Sequence, residues 1–303
     1  MSIGAIFPLT IRGSYNDDDL SRADILLHSL STFARPGTFS EFLVVTPPDE
    51  VVAVQDRLNK WPELPIRVIS EETLVPELAV HRHVRGWRKQ QIVKLAAPRE
   101  LTTDFFLTLD ADVIALRPFS VEDLVINGRA LIQFEPRSQH PKWWRSSARL
   151  LEMSPDMGDA SVGMTVTPAL LSRDLCHRVA EELTPSGSAS WVDRLCGLHN
   201  PKAASNWTLG RLLRSKWTEY SLYYLCALKH GLLDQYHVPA GTAENPRCLL
   251  VHDTHPFEQW VPAATFATES PGLFCVVGSK SRIAPSLVWQ TVRPFIEGRS
   301  PSW

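Results

Sequence analysis

An apolar, aromatic segment that ends on two carboxylates decides the fold of this chain: Asp104-Phe105-Phe106-Leu107-Thr108-Leu109-Asp110-Ala111-Asp112. The apolar run predicts a strand that is buried on both faces, as in a parallel sheet. Two carboxylates at the end of such a strand need a cation or water to stay ionised. Their oxygens suit Mn²⁺ or Mg²⁺, which keep open positions for substrate phosphates. A solvated loop is the alternative, because a D-x-D triplet by itself is a weak motif.

The chain before this segment alternates between short apolar runs and stretches with helical spacing. The predicted elements are strand 3–9, helix 17–33, strand 41–46, helix 51–58, strand 66–69 and helix 87–97. This alternation predicts an α/β fold with a mostly parallel central sheet flanked by helices. In such sheets ligands bind at the carboxyl ends of the strands, where the carboxylate pair lies. Farther along, the pattern predicts a strand at 163–168 and helices at 170–183 and 218–231.

Composition and charge argue against several classes of protein. The 303 residues are 44% hydrophobic and 21% charged, which is ordinary for a globular protein. The formal net charge of −2, without a dense Lys/Arg stripe, argues against a nucleic acid partner. No apolar run approaches the roughly 18–20 residues of a membrane span, which leaves only peripheral membrane contact open. The absence of a secretory signal and five scattered cysteines predict a reduced, cytoplasmic protein.

Three segments resemble known glycosyltransferases. The stretch Leu107-Thr108-Leu109-Asp110-Ala111-Asp112-Val113 resembles the D-x-D segment of nucleotide-sugar glycosyltransferases with the GT-A fold. Residues 86–95 (GWRKQQIVKL) and 217–220 (WTEY) resemble a bacterial family of uncharacterised glycosyltransferase-like proteins. The resemblance implies one GT-A-like domain over residues 1–303, with a nucleotide-binding half at about 1–125 and an acceptor-binding half at about 126–303. It also implies a nucleotide-sugar donor, most often a UDP-sugar, a carbohydrate or glycoconjugate acceptor, and a Mn²⁺ or Mg²⁺ cofactor.

The same resemblance implies the metal ligands. Asp110 and Asp112 would bind the cation, and Ala111 between them is counted with the nucleotide-binding residues. In some D-x-D glycosyltransferases a histidine after a late strand completes the metal shell, which indicates His252 here, with His255 as the reserve. Two surface histidines in a turn before Pro256 are the alternative. The zinc-protease pattern H-E-x-x-H is absent.

The helix before the D-x-D strand carries a second candidate pair. Gln91 and Lys94 are three residues apart and can share a helix face, where they would hold a phosphate or ribose. A solvated helix face is the alternative. Thr10 and Arg12 follow the first strand, and this position makes them further nucleotide contacts. Lys280, in a Gly-Ser-Lys segment after a late apolar run, could bind phosphate, but the sequence favours a plain loop.

Glu219 is the candidate catalytic residue. Inverting sugar transfer needs a carboxylate that takes the proton from the acceptor hydroxyl. In GT-A enzymes this carboxylate often lies where a helix of the acceptor side begins, as Glu219 does after Thr218. The alternative is an ordinary acidic residue that complements the dipole of the helix.

Two other classes of function stay open from the sequence. A nucleotidyltransferase or metal-dependent phosphohydrolase also uses paired carboxylates, and a non-catalytic relative would bind the sugar nucleotide without turnover. The ten tryptophans are numerous for this length. Core packing explains most of them, and stacking on the apolar faces of sugar rings is the other interpretation.

Overall fold

The computed structural model describes residues 2–11, 18–164, 167–184, 187, 189–200, 216–253 and 256–298, with the backbone alone for 251–253. Two residues that the sequence singles out, Arg12 and His255, lie outside the described residues. The side chain of His252 lies outside the description as well.

The strands of the described chain are, in order, β1 (Ile3–Pro8), β2 (Phe39–Thr46), β3 (Ile66–Ser70), β4 (Phe105–Thr108), β5 (Val113–Ala115), β6 (Val125–Ile126), β7 (Arg129–Ile132), β8 (Ala169–Ser172), β9 (His237–Pro239), β10 (Cys248–Asp253) and β11 (Gly272–Val276). The α-helices of the same residues are α1 (Asp19–Phe33), α2 (Val51–Leu58), α3 (Glu71–Leu74), α4 (Gly86–Ala96), α5 (Pro141–Leu150), α6 (Arg173–Leu183), α7 (Trp191–Gly197), α8 (Glu219–Lys229), α9 (Leu233–Tyr236), α10 (Pro262–Thr265) and α11 (Pro285–Ile296).

Five strands form the central sheet in the order β3-β2-β1-β4-β8. The first four run parallel, and β8 pairs antiparallel with β4. All residues of β1 and β4 are buried, because helices cover both faces of the sheet. The α/β fold with a mostly parallel central sheet flanked by helices, predicted from the sequence, is therefore confirmed.

One predicted boundary in the second half of the chain is wrong. Residues 165 and 166 of the strand predicted at 163–168 lie outside the described residues, whereas residues 169–172 form β8. The helix predicted from residue 170 begins at Arg173 instead. Leu170 and Leu171 are fully buried and pair with β4, so burial on both faces decides their structure over helical spacing. Ser172 then caps α6 with its side chain, which accepts a hydrogen bond from a backbone N–H of the first turn.

Two three-stranded sheets, β10-β11-β5 and β6-β7-β9, lie beside the central one. The link between sheets matters for the site: β4 belongs to the central sheet, whereas β5 pairs antiparallel with β11 in the second. Alternate residues of β1 and β4 enter two apolar clusters, one on each face of the central sheet. Helices α1 and α11 pack into the first cluster, and α4, α6 and α8 pack into the second.

None of the helices in the described part of the chain combines the length and the apolar composition that crossing a bilayer requires.

Candidate active site

The carboxylate pair lies between two sheets, in the short link from β4 to β5. The side chain of Asp110 is 34% exposed. Asp112 accepts a hydrogen bond through Oδ2 from the backbone N–H of Ser279, with the two atoms 3.1 Å apart. Its backbone oxygen accepts a second one from Val277 N at 3.0 Å. The loop after β11 therefore holds Asp112, while the end of the central sheet places Asp110.

Lys94 is a buried cation beneath this pair. Its side chain projects from α4 and is only 2% exposed. The ammonium nitrogen Nζ lies 2.8 Å from Asp110 Oδ1 and 3.2 Å from Glu219 Oε1. The ring of Tyr220 lies against the same ammonium, with its centroid 5.4 Å away. One lysine thus bridges two carboxylates from distant segments of the sequence, and a solvated position for Lys94 is wrong.

Glu219 begins α8 inside the protein, and its side chain is 2% exposed. Its backbone N–H donates a hydrogen bond of 3.2 Å to Gln91 Oε1. Thr218 and Ser221 form a capping box that satisfies further N–H groups of this first turn. Gln91 is 5% exposed, so a solvated face is wrong for this residue too. Gln91 and Lys94 of α4 therefore hold the start of α8 next to the end of the D-x-D strand.

Burial and mutual repulsion shape the protonation of the cluster. Burial and, after it, the negative charge of Asp110 raise the pKa of Asp112 to about 7, although the hydrogen bond from Ser279 N–H offsets part of the shift. Burial also raises the pKa of Glu219, against the opposing effect of Lys94. Burial alone would lower the pKa of Lys94, but attraction to Asp110, Tyr220 and Glu219 together outweighs it, and the pKa is raised. The cluster therefore holds three carboxylates around one ammonium, and the charge of Arg22 also acts on Asp112.

The residues of the pair fit a hard divalent cation. Oδ1 of Asp110 is buried and lies 2.8 Å from the Lys94 ammonium, and a carboxylate oxygen has a second lone pair that a cation can use. Two carboxylates one residue apart match the few protein ligands that Mg²⁺ takes at phosphate-binding sites. Among the described residues, no group of three His, Cys, Asp or Glu side chains converges for a metal. The backbone of His252 lies in β10, next to Cys275 of β11.

A small cavity of about 30 Å³ opens on the other side of α4, at the carboxyl ends of β1 and β2. Thr10 lines it, together with Gln90 and Lys89 of α4. Lys89 forms an ion pair with Glu71 on the same wall. Ligands of parallel sheets bind at this edge, so the cavity and the carboxylate pair share one rim of the molecule.

The structure brings together Gln91, Lys94, Asp110, Asp112 and Glu219, which the sequence singles out separately. Thr10 lies apart from them, on the cavity across α4.

The segment that begins at Gly278 contributes to the site, although the sequence favours a plain loop there. It directs Ser279 N–H at Asp112. Burial lowers the pKa of His140, and the charge of Lys280 adds to this effect. The sequence feature that could have indicated the contact with Asp112 is the Gly-Ser-Lys segment directly after an apolar strand.

Comparisons with known proteins agree with this architecture. Mouse xyloside xylosyltransferase 1, in its apo form, has a similar structure with a TM-score of 0.50, although the two sequences are only 12% identical. The alignment covers 93% of this chain and 100% of the mouse chain, and the likeness shows a glycosyltransferase-like fold. No curated protein matches the sequence. A family model matches residues 1–299, and the chain therefore belongs to the family of unknown function DUF6492.

Proposed function

We propose that this protein is a metal-dependent glycosyltransferase, which moves a sugar from a nucleotide-sugar donor, a UDP-sugar, to a hydroxyl of a carbohydrate or glycoconjugate acceptor. The observation that carries the proposal is the Asp110–Lys94–Glu219 cluster at the carboxyl end of β4. Its excess of negative charge favours a divalent cation, and the fold is similar to that of a glycosyltransferase. In this proposal Thr10 and the cavity beside it lie in a nucleotide-binding half, residues 1–125.

Each residue of the cluster then has a separate task. Asp110 and Asp112 hold Mn²⁺ or Mg²⁺, with His252 as the third proposed ligand. When bound, the cation neutralises charge that develops on the leaving nucleoside diphosphate. Lys94 orients Asp110, because its buried ammonium lies 2.8 Å from that carboxylate. Gln91 fixes the start of α8.

Glu219 as general base stays a prediction. Its carboxylate contacts Lys94 at 3.2 Å and is almost fully buried, so the acceptor hydroxyl would have to approach from the exposed side of Asp110. If Glu219 is the base of an inverting transfer, Glu219→Gln lowers kcat by about 10²–10⁴-fold and leaves donor affinity unchanged. If its task is to hold Lys94, the same variant loses stability while kcat changes little. The anomeric configuration of the product, read by NMR, separates an inverting from a retaining reaction.

The proposal is tested by calorimetric titration of UDP with and without Mn²⁺. We expect Mn²⁺-dependent binding that Asp112→Asn weakens at least about tenfold, since the substitution removes the charge and keeps the volume. Asp104→Asn is the matched control, because this exposed aspartate lies at the opposite end of the same strand. Equal UDP affinity in Asp112→Asn and the wild type would refute the metal assignment. A donor screen that scores UDP release and glycoside product then separates a transferase from a phosphohydrolase.

A further inference from the structure

A group of aromatic side chains lies at the protein surface beside the candidate active site. The rings of His140 and Trp143 stack at a centroid distance of 3.8 Å, and Trp87 lies 6.3 Å from Trp143 at an angle of 37°. Trp87 is 40% exposed, whereas the other tryptophans of the described residues are buried or partly buried. We call these three residues the aromatic shelf.

Helix α4 connects the shelf to the carboxylates. Trp87, Gln91 and Lys94 are spaced at i, i+4 and i+7, which places them on one face of the helix. The seven residues from Trp87 to Lys94 correspond to about 10 Å along the helix axis. Because Lys94 contacts Asp110, the shelf lies about two helical turns from the D-x-D pair, toward solvent.

The loop after β11 also acts on both groups. Ser279 N–H donates to Asp112. Burial lowers the pKa of His140, and the charge of Lys280, the next residue of the loop, lowers it further, against the effect of Glu135. Helix α4 places the shelf at the edge of the candidate active site, and this electrostatic effect agrees with that placement.

Two exposed cations are neighbours of the shelf tryptophans in the sequence. Arg85 precedes Trp87 by two residues, and Lys142 directly precedes Trp143. Both side chains are exposed, and neither forms an ion pair within the described residues. Burial lowers the pKa of His140, and the charges of Glu135 and Lys280 act on it with opposite signs.

We infer that the aromatic shelf binds a sugar ring of the acceptor, and that this ring carries a carboxylate or phosphate group. Aromatic faces pack on the apolar C–H face of a pyranose, and the polar edges of the rings stay in water. An anionic group on the sugar would meet Arg85 or Lys142. The inference rests on the proposed glycosyltransferase function, to which it adds the chemical class of the acceptor.

Binding of three monosaccharides, measured by saturation-transfer NMR with saturating Mn²⁺ and UDP, tests the inference. The probes are methyl β-glucuronide, its neutral counterpart methyl β-glucoside, and glucose 6-phosphate. We expect at least one anionic probe to bind about fivefold tighter than the glucoside, and the two anionic probes tell a carboxylate from a phosphate. Trp143→Ala should weaken that probe about tenfold, whereas Trp143→Phe should keep most of the affinity.

The charge is tested with the variant Arg85→Gln/Lys142→Gln, which should lose the preference for the anionic probe and keep the weaker glucoside binding. Trp289→Ala is the control, because Trp289 is partly buried and packs on the opposite face of the central sheet. Melting temperature and Mn²⁺-dependent UDP affinity should stay at wild-type values in all shelf variants.

Three results would overturn the inference: no probe binds, Trp87→Ala and Trp143→Ala bind as the wild type does, or UDP with Mn²⁺ displaces the sugar. Equal affinity for glucoside and both anionic probes would overturn the assignment of charge. If UDP does not bind while an anionic sugar binds through Trp143, the proposed function fails and the shelf is retained as a sugar site.

Discussion

Replacement of Lys94 by methionine is expected to destabilise the protein strongly. Met keeps the length of the side chain but leaves Asp110 and Glu219 without their shared ammonium, and Glu219 is 2% exposed. Removing one partner of a buried ion pair costs about 3–5 kcal/mol, because the remaining charge stays desolvated. At about 2–4 °C per kcal/mol for large domains, the melting temperature should fall by roughly 6–20 °C.

The effect of Glu219→Gln on stability should change sign between the wild-type protein and the Lys94→Met variant. In the wild-type background Glu219→Gln should destabilise by about 1–3 kcal/mol, since Lys94 loses one of its two carboxylates. In the Lys94→Met background the same change removes an unpaired buried charge, and we expect it to recover about 0.5–3 kcal/mol.

Urea unfolding at pH 7.5, followed by tryptophan fluorescence, measures the cycle of four proteins. Lys89→Met is the matched control on α4, because Lys89 pairs with Glu71 nearer the surface and should cost less than about 1 kcal/mol. If Glu219→Gln destabilises both backgrounds equally, the lysine does not bridge the carboxylates and the geometry of the cluster is refuted.

Other regions give three further predictions. His237 is buried, accepts a hydrogen bond from Tyr223 Oη and donates one to a backbone carbonyl, and burial lowers its pKa to about 4. Because the folded pKa lies below the unfolded value of about 6.5, this contribution to stability is complete above pH 6.5 and is lost as the pH falls toward 4, by at most about 1.4 kcal/mol per unit. His237→Gln should flatten the pH dependence of the urea midpoint between pH 7 and 5, and an unchanged slope would contradict this. Lys280→Gln should weaken Mn²⁺-dependent UDP binding about tenfold in calorimetry, because a charged hydrogen bond to the diphosphate is lost. Unchanged affinity would mean that Lys280 lies in a plain loop and does not bind phosphate. Gly163→Ala should lower stability by about 1–3 kcal/mol in urea unfolding, because its Cβ would clash with the ring of Trp144, and a neutral effect would mean that this ring can move.

The sequence was sufficient for the parts of the site that depend on local patterns. The apolar run before Asp110 predicts a buried strand, and the rule that ligands meet strand ends then locates the carboxylates. Helical spacing likewise predicts that Gln91 and Lys94 share a face. Each of these predictions concerns a single strand or helix, and it can be made without knowing how the strands and helices pack together.

The relations that could not be predicted connect distant segments. Lys94 finds Glu219 only because α8 packs beside α4, and no spacing rule relates these two helices. Ser279 meets Asp112 because β11 pairs with β5 across the second sheet. The strand at Ala169–Ser172 was misplaced for the same reason, since its pairing with β4 outweighs a local helical pattern.

The two aspartates are separated by one residue in the chain but are fixed to different layers of the molecule. Asp110 follows a strand of the central sheet, whereas Asp112 is tied to the loop that leaves β11. A ligand that binds both carboxylates would therefore link the central sheet to the β10-β11-β5 sheet. Because such a ligand binds the folded state, the melting temperature should rise with the ligand concentration according to mass action. Conversely, a substitution that weakens the pairing of β5 with β11 would lower the affinity for this ligand without changing either carboxylate.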